Sequence, residues 1–248
     1  MNFQLTTDFI RKLELLINNN DSKAILNHCA DLLAPDIAEI ITNLKFKDAK
    51  FLFDLYSEEM SADILIELED DFREKLLNTL SSKEIVEEVI ENLDSDDAAD
   101  VIQELSHEKQ KEVLLNIVNP QQASDLADLL SYDENSAGAL MAKELIQVRE
   151  KWSILRCVSE MREQAQNVNK VYTIYVINKQ NQLLGTVSLK QLLLTPEKTF
   201  IGEIFNTNII SVTTNTSGED VARIMNKYDL NSVSFRYMEI LLVFNIMK

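Results

Sequence analysis

Between residues 34 and 130 a leucine, or a bulky stand-in, returns every 12 or 13 positions: Leu44, Tyr56, Leu68, Leu80, Leu93, Leu105, Ile117 and Leu130. This period constrains the fold more than any other feature of the chain. Within units such as "APDIAEIITNL", "SADILIEL", "IVEEVIENL" and "DDAADVIQEL", apolar residues recur at three- and four-residue spacing, which is the helical period. Many units open on a capping residue: Ser57, Ser81, Asp94, Ser106, or Asn119 before Pro120. Ser81 and Glu84 have capping-box spacing. Each unit therefore predicts about three helical turns and a tight corner. Two units make a helical hairpin of about 25 residues, and hairpins stacked with apolar faces inward make a short solenoid or superhelical bundle.

The charge follows the same division. Of the net −17, residues 1–132 hold 29 acidic against 11 basic side chains, and residues 133–248 hold 12 against 13. A field of that sign repels nucleic acid and anionic lipid and draws cations, so no nucleic-acid partner is expected. The crowding peaks in "LDSDDAADVIQEL", where Asp94, Asp96, Asp97 and Asp100 open one helical unit. One or two acids suit a helix N-terminus; four exceed what capping needs. Like charges at three- and four-residue spacing repel by roughly 0.2–0.5 kcal/mol per pair. Either solvent and salt absorb that cost or a cation does. For most acids of the repeat a solvated outer face is sufficient explanation.

Several functional classes are excluded by what the chain contains. Cys29 and Cys157 are too few and too far apart for a disulfide framework or a thiolate metal site. With no signal peptide at the N-terminus, a reducing cytoplasm is the expected compartment. Only four Gly and three Pro occur, and no glycine-rich phosphate loop is present. His28 and His107 stand alone, so no Ser/His/Asp constellation arises and no enzyme is expected. No run of 18 apolar residues exists to span a bilayer; the terminal "YMEILLVFNIMK" is short and interrupted by Glu239 and Asn245.

After Leu130 the period stops. "WSILRCVSEMREQAQ" (152–166) reads as one amphipathic helix, "YTIYVI" as a strand rich in β-branched and aromatic residues, "NKQNQ" as a turn, "LLGTVS" as a second strand and "LKQLLL" as a short helix. This is an α/β module. It begins again with "IISV", a loop over Thr213–Ser217, the helix "EDVARIMNKY" and a strand starting near "NSV". Met141, Met161 and Met225 fall at core spacing, and Trp152 is placed to anchor the first helix.

The stretch "YTIYVINKQNQLLGTVSLKQLL" resembles a CBS module. "SDDAAD" with the helical repeat resembles the N domain of MgtE-type magnesium transporters, "SAGALM" (136–141) resembles that family's joint into the first CBS module, and "GEDVARIMNKYDL" (218–230) resembles the opening of its second. The resemblance covers nearly all of residues 20–233 in the family's order. It implies an α plus α/β architecture: an acidic superhelical N domain of helical hairpins over 1–132, a first CBS module over 133–198, and a second over 199–248. In that family a connecting helix and a membrane pore follow. The cytosolic part, lying at the cytosolic face of the cell membrane, binds magnesium and closes the pore, and CBS modules pair two copies into a homodimer. The crowded carboxylates are then places where a hard divalent cation sits.

Carried over residue by residue, the resemblance implies magnesium ligands at Asp96, Asp97 and Asp100, a backbone carbonyl ligand at Gly138, and a second group of Glu219, Asn226 (through its carbonyl) and Asp229. Seven- and three-residue steps place the last three on one helical face; without the resemblance Glu219 and Asp229 read as helix capping. Asp94 and Ser95 read as caps, and a missing sixth-position Gly excludes an EF-hand over 94–105. The tail departs from the family: "SFRYMEILLVFNIMK" stands where a CBS strand pair has its own signature. The second module is thus expected to be incomplete, the chain to be a truncated or frame-shifted sensor without connecting helix or pore, and transport by it alone to be impossible. Two other functions compete: an adenosine-nucleotide-binding CBS module, and a helical-repeat scaffold for a protein partner.

Overall fold

In the computed structural model, residues 3–168, 171, 173–230, 233–237 and 240–244 are described. Asn231 and Ser232 of "NSV", and Glu239 and Asn245 of the tail, lie outside them. The helices of the first part are α1 (Thr7–Asn18), α2 (Ser22–His28), α3 (Ala34–Thr42), α4 (Phe46–Phe53), α5 (Glu58–Ile66), α6 (Asp70–Leu77), α7 (Ser82–Glu84), α8 (Ser95–Gln103), α9 (His107–Asn116) and α10 (Pro120–Leu129). The chain divides into two compact units, Met1–Leu93 with Asp100–Asn119, and Asp94–Ala99 with Pro120–Lys248.

In the first unit the 12-residue period has a repeated backbone cause. At the end of α3 the N–H groups of Asn43 and Leu44 turn back to the carbonyls of Ile40 and Ile41. The same pair of three-residue closures recurs at Leu55 and Tyr56, at Glu67 and Leu68, and at Thr79 and Leu80. Such tightening satisfies the last carbonyls of each helix. It also drives the landmark residue inward: Leu44, Leu68, Leu80 and Leu105 are all buried. At three corners the next residue is a serine that caps the following helix. The Ser57, Ser81 and Ser106 hydroxyls accept from the N–H groups of Met60, Glu84 and Lys109. Ser81 and Glu84 form the reciprocal box, the Glu84 carboxylate accepting the Ser81 N–H at 2.7 Å.

One unit departs from the regular pattern. After α7 the backbone widens into a π-helical turn, Ile85–Val89, and closes as a 3-10 turn, Ile90–Asn92. Ile85, Val86, Val89 and Ile90 are all buried. Apolar residues at i, i+1, i+4 and i+5 span more than one 3.6-residue stripe, and local widening lets all four face the core. Arg73 of α6 ties the helices laterally. Its guanidinium bonds both oxygens of Glu104, the Asp70 carboxylate at 2.8 Å and the Ile66 carbonyl at 3.1 Å.

The second unit holds two small sheets. β1 (Ile146–Arg149), α11 (Ile154–Gln164), β2 (Ile174–Ile177), β3 (Leu183–Val187) and α12 (Leu189–Leu194) make the first module. β1 runs parallel to β2, and β2 antiparallel to β3. All four residues of β2 are buried, because the strand is covered on both faces. Ile174 and Val176 join a core with Ile146, Cys157, Met161 and Leu192, while Tyr175 and Ile177 pack with Leu145 and Leu183. Trp152 packs against the former, under the Arg156 guanidinium at 4.6 Å. β4 (Ser211–Val212), α13 (Gly218–Tyr228), β5 (Val233–Tyr237) and β6 (Ile240–Phe244) follow. Here too the first pair is parallel and the second antiparallel, in the order β4-β5-β6. The tail departs from the family in sequence, yet its backbone completes the strand order of the first module.

Candidate metal centre

The first turn of α8 carries the acid cluster. Asp96 and Asp97 are partly buried there, and Asp100, one turn on, is exposed. Burial, and then the Asp97 charge, push the Asp96 carboxyl up to about 7, against the pull of the Asp97 backbone N–H. A carboxylate is held where its ionised form is disfavoured, and a cation would relieve that. The charge of Asp100 is also felt by Arg73. It contributes, after Glu104 and Asp70, to holding Arg73 protonated against the opposing effect of burial.

Ser95 does not cap α8. Its buried hydroxyl accepts the Lys143 N–H at 2.8 Å and donates to Glu144 Oε2 at 2.9 Å. The Ser95 N–H donates to the same oxygen at 3.2 Å. Lys143 Nζ in turn reaches Asp128 of α10 at 2.6 Å. The capping expected of Ser95 is thus not what its hydroxyl does: it links the helix start to the segment that enters β1.

Gly138 lies in a stretch paired with the loop before α13. The N–H groups of Ala137 and Gly138 donate to the carbonyls of Thr216 and Thr214 at 2.7 and 2.8 Å, and Gly218 donates back to Asn135 at 2.9 Å. A Cβ on Gly138 would sit 2.5 Å from the Tyr132 ring, so only glycine leaves the ring and the joint where they are. The sequence marked Gly138 only as a carbonyl ligand; its close approach to Tyr132 was not legible there.

Glu219 and Asn226 lie on α13 two turns apart, both exposed. Asp229 is not on that helical face. It sits past the helix end in the left-handed conformation, φ 51° and ψ 53°, its N–H closing on Met225. A short polar side chain tolerates this geometry, and it stops the helix one residue before the spacing argument needs it. Ser217 is the N-cap, and Asp220 pairs with Arg223 at 2.7 Å.

Among the described residues no three His, Cys, Asp or Glu side chains are grouped to hold an ion. His28 stacks on Phe9 at 4.1 Å, and burial followed by the Lys12 charge lowers its pKa. Magnesium accepts one or two carboxylates and keeps several waters.

The comparisons with known proteins decide the family of these parts. The model of the MgtE intracellular N domain matches residues 32–135, and that of the CBS domain matches residues 137–196. This chain carries an MgtE-type N domain followed by a CBS domain. The magnesium transporter MgtE of Thermus thermophilus is 36% identical over 98 residues, 40% of this chain and 22% of that protein. MgtE of Enterococcus faecalis is 30% identical over 102 residues, 41% of this chain and 22% of that protein. The matched part thus spans about a fifth of these MgtE relatives. The crystal structure of the soluble part of a magnesium transporter superposes with a TM-score of 0.83 at 22% identity, covering 96% of this chain and 94% of that one. The cytosolic domain of the Mg2+ channel MgtE in complex with ATP gives 0.86 at 24% identity, covering 95% and 96%. At such identities these two establish the MgtE cytosolic fold. No described helix is long and apolar enough to cross a membrane.

Proposed function

We propose that these residues form the magnesium-sensing, regulatory portion of an MgtE-type magnesium transporter, acting at the cytosolic face of the membrane. The domains we assign are an N domain over 1–132 and CBS modules over 133–198 and 199–248. The observation that carries the reading is the α8 start: two carboxylates side by side, one of them buried enough to resist ionisation, in a domain of MgtE type. Asp96 and Asp97 would hold the ion, with Gly138 as a carbonyl ligand and Glu219, Asn226 and Asp229 as a second, weaker group. Bound there, magnesium would neutralise charge that otherwise opposes packing. Asp96 and Asp97 supply the anionic oxygens, and their helix supplies the rigidity.

The assembly we propose is a homodimer through the CBS modules, supported by exposed Leu155, Leu189, Leu193 and Leu194 on α11 and α12. Calorimetry on the whole chain tests the function. Magnesium binding in the millimolar range supports it. Binding of ATP with no binding of magnesium would favour a nucleotide module, and neither would favour a helical scaffold.

A further inference from the structure

We propose that Ser95 and Glu144 are positioning residues for the Asp96 and Asp97 carboxylates, acting by tying the first turn of α8 to the segment that enters β1. The proposal rests on reading those two carboxylates as magnesium ligands.

Three hydrogen bonds converge on one buried serine. Its hydroxyl is used twice, accepting from the Lys143 backbone at 2.8 Å and donating to Glu144 at 2.9 Å, and its own N–H adds a third bond at 3.2 Å. The segment is held from its other side by Lys143 Nζ on Asp128 at 2.6 Å, a lysine side chain only 11% exposed. A helix start leaves several N–H groups without intrahelical partners. Here Glu144 supplies an acceptor from 49 positions away. The orientation of the turn is therefore set by the chain entering β1, which starts at Ile146. Asp96 and Asp97 follow Ser95 directly, so whatever fixes Ser95 fixes the directions in which they leave the backbone. Supports of this kind around a metal ligand change affinity by about ten- to a hundredfold when removed, because the ligands must then be ordered at the moment of binding.

The test uses the full chain and magnesium chloride as the probe. Ser95→Ala, Ser95→Thr and Glu144→Gln are compared with the parent by calorimetric Kd and by melting in chelator. Amide hydrogen exchange of Ile146–Arg149 is followed with and without magnesium. Ser95→Ala should weaken magnesium binding about tenfold, Glu144→Gln, whose amide oxygen still accepts, by less, and Ser95→Thr, which keeps the hydroxyl, should restore it. Magnesium should slow exchange in β1 of the parent and lose that effect in Ser95→Ala. Glu144→Gln keeps shape and an acceptor, so it serves should Ser95→Ala fail to fold. If the variants melt lower in chelator yet bind magnesium within twofold of the parent, the link is only architectural and the proposal is overturned. A parent that binds no magnesium removes the underlying reading as well, an outcome told apart by the parent's own titration.

Discussion

Ser95 Oγ and Glu144 Oε2 stand 2.9 Å apart across 49 positions of sequence. Removing the carboxylate leaves the buried Ser95 N–H and hydroxyl short of an acceptor. An unsatisfied buried donor costs about 1–3 kcal/mol. Glu144→Ala should lower stability in chelator by about that amount, and Glu144→Gln by less, because its amide oxygen still accepts. Thermal unfolding followed by circular dichroism reads both; equal stability of parent and Glu144→Ala would show that water replaces the bond at no cost.

Asp96 makes stability depend on pH. Its pKa is raised to about 7 by burial and by Asp97, so the folded chain holds this proton to higher pH than the unfolded one does. Where the folded state binds the extra proton, stability falls as pH rises, here from the ordinary carboxylate range up to about 7, and is level above it. Asp96→Asn should therefore be more stable than the parent at pH 8 without metal, with the difference shrinking toward pH 4. Melting temperatures at three pH values check the sign. A variant less stable than the parent at pH 8 would contradict it.

Two glycines should respond differently to alanine. At Gly185 the added Cβ would meet the Asn206 carbonyl oxygen at 2.2 Å, a backbone atom that accepts the Thr186 N–H while the Asn206 N–H donates to the Thr186 carbonyl. At Gly138 it would meet the Tyr132 ring, which can tilt. Overpacking costs about 1–3 kcal/mol, so Gly185→Ala should fall at or above the upper end of that range and Gly138→Ala below it. Tyr132→Leu should rescue Gly138→Ala. Denaturation midpoints of the four proteins decide the order.

Arg73 should be the costliest charged residue of the first unit to shorten. Its guanidinium holds Glu104, Asp70 and the Ile66 carbonyl together with only 14% of the side chain exposed. Arg73→Ala leaves Glu104 partly buried and unpaired by this residue, a loss of about 3–5 kcal/mol if burial were complete and less here. Arg11→Ala, which breaks only an exposed pair, should be nearly silent. Comparable losses for the two would refute the ranking.

The helical repeat was legible because its period, caps and closing turns all lie within 12 residues of one another. Ser57, Ser81 and Ser106 cap where their spacing placed them, and Met141, Met161 and Met225 are buried. The strand–turn–strand pattern around Gly185 was equally local. What escaped depends on distance or on a single dihedral. Ser95 was read as a cap because its partner is Glu144. Asp229 was placed on a helical face because a left-handed residue leaves no trace in the period. The strand expected near "NSV" is β5, but its antiparallel pairing with β6 escaped because these residues carry none of the family's signature.

The central claim is that magnesium acts through Asp96 and Asp97, and its most direct measurement is the melting temperature of the full chain in magnesium, against potassium at equal ionic strength. A ligand at a hundred times its Kd stabilises by about 2.7 kcal/mol, so the parent should gain a few degrees in millimolar magnesium, and potassium, which only screens, should do much less. Asp96→Asn with Asp97→Asn should abolish most of the gain, and Asp100→Asn, whose charge serves Arg73, should keep it. If the Asp96/Asp97 double variant gains as much from magnesium as the parent, the cluster is a solvated helix start and the account of this site is wrong.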